Sequence, residues 1–135
     1  MAGIFKKGER VTYVADWDGR GTFYFIQAFV HSCGGKKVVL YNAETQQLLG
    51  RHFRPEIGII QGVGRKTNGI FKQMSDEEAH AVCLAESASY LAWRRQAIVD
   101  SISKSVSGSL YAKAMEKDLE DLHEPMSMKG AVPQV

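Results

Sequence analysis

Two cysteine–histidine pairs are the residues whose types and spacing could do chemistry. His31 and Cys33 stand two apart in AFVHSCGGKKVV, and His80 and Cys83 stand three apart in HAVC. On a strand the first pair shares a face, and on a helix the second pair does. If the helix covers that end of the sheet, two thiolates and two imidazoles converge into a tetrahedral zinc site. The usual C-x-x-C knuckle is missing, however, and cysteine is among the residues most often simply buried. Core residues are the simpler reading, with no metal and no cofactor; His31, Cys33, His80 and Cys83 as zinc ligands form the alternative. A nucleophile pair from His31 and Cys33, or a reaction at His52, has no orienting third group and no oxyanion motif. No catalytic residue is assigned, and the chain is read as a non-enzyme.

Two further motifs fall short of their chemistry. GVGRKT (62–67) departs from a Walker loop because Arg65 separates Gly64 from Lys66. What remains is a glycine-rich loop with Arg65, Lys66 and Lys72, suited to nucleic-acid phosphates or simply solvated. DWDGRG (16–21) lacks the later ligands of a calcium loop and reads as a hairpin turn carrying Trp17. Trp17, Tyr24 and Tyr41 accompany Lys6, Lys7, Arg10, Arg20 and Arg51. This is the aromatic-plus-basic mixture used by single-stranded nucleic acid or a protein partner, although strand aromatics are more often core. In WRR, Trp93 and Arg94, with Tyr90 nearby, are candidates for a homodimer or partner contact. The competing reading packs Trp93 on a second helix and pairs the arginines with Asp118, Glu120 or Asp121.

The elements that must position these residues follow from pattern. ERVTYVAD, TFYFIQAFV, KKVVLYN and QQLLGRHF are rich in β-branched and aromatic residues, with turn chemistry between them. GIIQGVGRKTNGIF reads as a last short strand or an exposed basic loop. Ser75 with Glu78 forms a capping box, and Asp76 and Glu77 suit the first turn of a helix running to about residue 103. Its expected buried stripe is Ala81, Leu84, Ala88, Leu91, Ile98 and Ile102. Gly108 breaks the helix, and a second one carries Tyr111, Met115, Leu119 and Leu122 until Pro125 stops it. A helix from 76 to 103 is about 40 Å long, more than a sixty-residue barrel can cover. Part of it must lie on the second helix or on another chain.

The chain has 135 residues, two cysteines and 44% hydrophobic residues, which fits one globular domain without a disulfide framework. The expected layout is a β-rich half (1–64), a helical half (75–123) and a loose tail (124–135). The fold class expected is α+β: a small antiparallel SH3-like barrel or curled sheet of four to five strands, then two C-terminal helices. No apolar run suggests a signal peptide or membrane span, so a cytoplasmic protein with no membrane contact is expected. Residues 1–74 hold eleven Lys/Arg and five Asp/Glu (+6), and residues 75–135 hold six and ten (−4), summing to the net +2. A basic first half suits a polyanion, or is neutralised by the acidic half.

KKGERVTYV followed by NAETQQLLGRHFRPE resembles SH3-like and Tudor-like small barrels over residues 5–60. The overall plan, with its capped acidic helix, is similar to accessory proteins of bacterial phages and plasmids. That resemblance implies action by occluding a host machine, defence nucleases included, and carries no catalytic residue. The function expected is therefore a non-catalytic binding protein that regulates or inhibits a nucleic-acid-handling complex, with a protein or ribonucleoprotein partner. The alternative is a direct nucleic-acid binder using the basic barrel face and the glycine-rich loop.

Overall fold

A single long strand organises the molecule. In the computed structural model, which describes residues 5–16, 20–34, 37–53, 58–61 and 67–130, the run TFYFIQAFVHSCG forms β2 (Thr22–Gly34). β1 (Arg10–Asp16) pairs antiparallel along one edge of β2, and β3 (Lys37–Asn42) pairs antiparallel along the C-terminal half of the other edge. β4 (Leu48–Phe53) continues beyond β3, while β5 (Gly58–Gln61) and β6 (Thr67–Lys72) form an antiparallel pair whose β6 adds to β1. The order is β4-β3-β2-β1-β6-β5, and the curled sheet is not closed: β4 and β5 are its ends among the described residues. The glycine-rich segment thus supplies two strands instead of one strand or loop.

Alternation along the strands makes two apolar layers. Val11, Tyr13 and Ala15 of β1, Tyr24, Ile26, Ala28 and Val30 of β2, Val38 and Leu40 of β3 and Ile70 of β6 fill the inside of the curl, with Phe5 added from the N-terminal segment. Val14, Phe23 and Phe25 point outward and would be exposed if nothing covered them. α1 (Asp76–Lys104) covers them with Ala79 and Cys83. Its start is the expected capping box: the Ser75 hydroxyl accepts from the Glu78 amide and the Glu78 carboxylate accepts from the Ser75 amide. The second half of α1 overhangs the sheet and packs on α2 (Leu110–Glu120), as its length requires. Gly108 takes φ +76° in the turn between them, a conformation that favours glycine.

Three expectations are corrected. The buried stripe of α1 is Ala79, Cys83, Ser87, Leu91 and Ile98; Ala81, Leu84 and Ala88 face outward. The bulky Phe23 and Phe25 leave room only for small residues at closest approach, so the sheet selects the Ala–Cys–Ser face over the more apolar one. On α2, Tyr111 is exposed and Ala112 is the buried residue. The segment expected as a loose tail contains β7 (Met126–Lys129), parallel to the first half of β2 with Thr22 opposite Met126 and Phe25 opposite Lys129. β3 leaves that edge of β2 free, and β7 takes it.

Candidate functional site

Along the outer face of β2, side chains change character in order. Phe23 and Phe25 lie under α1. Gln27 then ties the sheet to the helix entry: its Nε2 donates to the Met74 carbonyl (2.9 Å) and to Asp76 Oδ1 (3.1 Å), and its Oε1 accepts from Thr12 Oγ1 (2.7 Å). Thr12 Oγ1 in turn accepts from the Met74 amide. This polar staple sets where α1 begins, so Phe29, one step further, has no helix above it. β1 repeats the order, with Val14 covered, Thr12 in the staple and Arg10 exposed.

The uncovered half carries a row of cross-strand partners. Arg10 opposes Phe29 and Phe29 opposes Tyr41. The Arg10 guanidinium sits 4.6 Å from the Phe29 ring centre, and the Phe29 and Tyr41 rings stack at 5.4 Å and 24°. His31 meets Tyr41 edge-on at 6.0 Å. Phe29 and Tyr41 are half-buried and Arg10 and His31 exposed. Lys37 and Val39 share the outward face of β3 with Tyr41, and the Gly8 amide bonds the Val30 carbonyl, running exposed Lys6 and Lys7 beside this end of the sheet. Among the described residues, the side chains of Arg10, Lys7 and Lys37 make no ion pair with a carboxylate, while the Lys6 amide donates to Glu9 Oε1 (2.9 Å). Glu9 is already engaged by Lys72 (2.6 Å), and that hydrogen bond holds its carboxyl below the usual range.

The two cysteine–histidine pairs do not meet. A β-bulge at His31 shifts the β2–β3 register between Val30 and Ser32; His31 keeps the outward register of Phe29 and faces solvent, while Cys33 is turned onto the inner cluster and donates to the Phe5 carbonyl (3.2 Å). The expected shared face of His31 and Cys33 is therefore lost. Cys83 is fully buried on the opposite side of the sheet, on the sheet-facing side of α1, and burial pushes its thiol up to about 11. His80 stands edge-on to Phe25 and its Nδ1 shares a 2.7 Å hydrogen bond with Ser127 Oγ. No three potential ligands gather anywhere among the described residues. Cys83 is a core residue, and no zinc set of His31, Cys33, His80 and Cys83 assembles.

The remaining candidates are scattered. Lys72 is tied to Glu9 and lies over the Phe5 ring. Arg20 is exposed at the β1–β2 turn, and Tyr24 is inside the curl against Tyr13. Tyr90 is half-buried, Arg94 pairs with Asp118 at 3.8 Å, and Trp93 is 50% exposed beside the Tyr90 ring. Trp17, Arg65 and Lys66, and the side chains of Arg51 and His52, lie outside the described residues. Phe29 and Lys37 do not stand out in the sequence. The signal for Phe29 is the odd-numbered register of TFYFIQAFV, which changes from two phenylalanines to glutamine to phenylalanine.

A cleft of about 240 Å³ lies where β2 changes partner from β7 to β3, lined by Gln27, Asn42, Glu44 and Lys129 among others. Lys129 ties its rim together, reaching Asp76 (2.7 Å) and Glu44 (3.1 Å). The Lys129 and then Gln27 hydrogen bonds hold the Asp76 carboxyl below its ordinary value, and Asp76 and Glu44 raise Lys129. No helix among the described residues is long and apolar enough to cross a membrane. No protein-family model, curated protein or solved structure matches the chain.

Proposed function

We propose that the chain is a non-catalytic binding protein that regulates or inhibits a nucleic-acid-handling complex, and that it engages the complex through the open half of its outer sheet face. The observation that carries this reading is the Arg10–Phe29–Tyr41 row, in which half-exposed rings and a cation without an acidic partner among the described residues stand together on paired strands. A surface made only for solubility has no use for two half-exposed aromatic rings in register. Occlusion as the mode of action is the expectation drawn from the sequence's resemblance in overall plan to phage and plasmid accessory proteins. The test is to add purified protein, wild type and Phe29→Ala/Tyr41→Ala, to extracts of the native host. Wild type should co-purify with a nucleic-acid-handling assembly and change its activity, and the double variant should do neither. Equal capture and equal effect by the two proteins would sink the reading.

A second reading, self-association or protein docking through the helical half, is favoured by exposed Trp93, Leu84, Val99 and Leu110. Light scattering at high concentration tests it: a wild-type dimer that Trp93→Ala converts to monomer supports it, and a wild-type monomer removes the homodimer.

A further inference from the structure

We propose that the occupant of the open sheet face is single-stranded nucleic acid, its bases stacked on the Phe29–Tyr41 column and its phosphates held by Arg10, Lys37 and Lys7. This rests on the reading that the face is the protein's contact surface and names what fills it.

Charge selects the class of ligand. Arg10, Lys7 and Lys37 make no ion pair with a carboxylate among the described residues, Glu9 beside Arg10 in the chain is engaged by Lys72, and Asp76 at the staple is engaged by Lys129. A polyanion is the complement of such a surface. Ring geometry selects the single strand. A duplex buries its base faces and offers only phosphate to a flat sheet, whereas an unpaired strand can splay its bases onto aromatic side chains. Arg10 makes the exchange possible. Its guanidinium caps the Phe29 ring at 4.6 Å, in the place a base would take. An exposed cation–π contact is weaker than a base–aromatic stack, so an arriving base displaces the guanidinium, which then swings to a phosphate. Lys37 stands four residues from Tyr41 on the same face of β3, about 13 Å along the strand, and gives the backbone a path to follow.

The experiment is fluorescence anisotropy with labelled fifteen-nucleotide oligothymidine and oligouridine and a duplex of equal length, at about 50 and 200 mM salt. A single strand should bind more tightly than the duplex; which of the two oligomers is preferred separates DNA from RNA. Phe29→Ala and Tyr41→Ala should each weaken binding roughly tenfold with little change in salt slope, and Phe29→Tyr should restore it. Arg10→Ala/Lys37→Ala should flatten the slope by about one unit for each phosphate no longer held. Circular dichroism melts of each variant confirm folding, and the Arg10/Lys37 pair, being exposed, keeps the test alive if an aromatic variant unfolds. Wild type that ignores single strands at low salt, or prefers duplex, overturns the proposal. If oligonucleotides fail while Phe29→Ala/Tyr41→Ala still abolishes capture of a host protein assembly, the ligand class is wrong and the contact surface stands. If neither depends on these rings, both readings fall.

Discussion

Ser87→Ala tests whether one hydroxyl joins the three parts of the fold. Ser87 is fully buried on α1; its Oγ donates to the Gly21 carbonyl at the start of β2 (2.5 Å) and accepts from the Met126 amide at the start of β7 (3.0 Å). Alanine keeps the helix and removes both bonds. A buried donor or acceptor left without a partner costs about 1–3 kcal/mol. Gly21 is buried, so its carbonyl should incur much of that cost, while the amide of exposed Met126 can be partly rescued by water. The expected loss is about 2–4 kcal/mol. For a chain of 135 residues, roughly 3–5 °C of melting temperature accompany each kcal/mol, giving a drop of about 6–20 °C. Urea melts followed by circular dichroism measure the first quantity and a thermal melt the second. Amide exchange adds a local readout, with protection of residues 126–129 falling before that of β1. A loss under about 0.5 kcal/mol, or unchanged exchange in β7, would refute the claim that this hydroxyl holds the strand.

Gly21→Ala should destabilise by about 1–3 kcal/mol in a urea melt, because φ is +98° and the added Cβ would stand 2.9 Å from Tyr90 Cδ1. Cys33, partly accessible, should react with a thiol reagent well before Cys83, whose thiol is buried and protonated at neutral pH; mass spectrometry of the labelled peptides reads the order. The lowered Asp76 and Glu9 carboxyls give stability that is present above the unfolded carboxylate range and lost as pH falls through their folded values. Lys129, raised, contributes below its unfolded value and loses that contribution as pH rises through its folded one. The melting temperature should therefore hold steady between about pH 5 and 9 and fall on acidification below about pH 4, by a smaller amount in Asp76→Asn.

What could be read from the sequence was what local chemistry decides. The capping box at Ser75 and Glu78, the break at Gly108 and the β-rich first half depend on neighbours in the chain, and all three appear where their residues stand. The misplaced features depend on partners far away in sequence. The face of α1 that meets the sheet is set by Phe23 and Phe25, more than fifty residues upstream, which admit Ala79, Cys83 and Ser87 in preference to Leu84. β7 carries the unremarkable sequence MSMK. It becomes a strand because β2 has a free edge and because Ser87, His80 and Asp76 of α1 supply bonds to Met126, Ser127 and Lys129. The bulge at His31 likewise belongs to the pairing of β2 with β3: His31 keeps the outward register of Phe29, and the extra residue turns Cys33 to the interior.

The same long-range contacts explain why the candidate surface exists. A helix of 29 residues is long enough to run the whole length of β2, a strand of 13 residues, and hide every outward side chain on it. It does not, because the Thr12–Gln27–Met74–Asp76 staple fixes its first turn halfway along the strand and sends the rest past the other end, onto α2. Phe23 and Phe25 thereby become core, and Phe29, of the same type and on the same face, stays at the surface with Arg10 and Tyr41 beside it. Residue type alone cannot separate those three phenylalanines. The position of one glutamine between them, and the helix entry it holds, does.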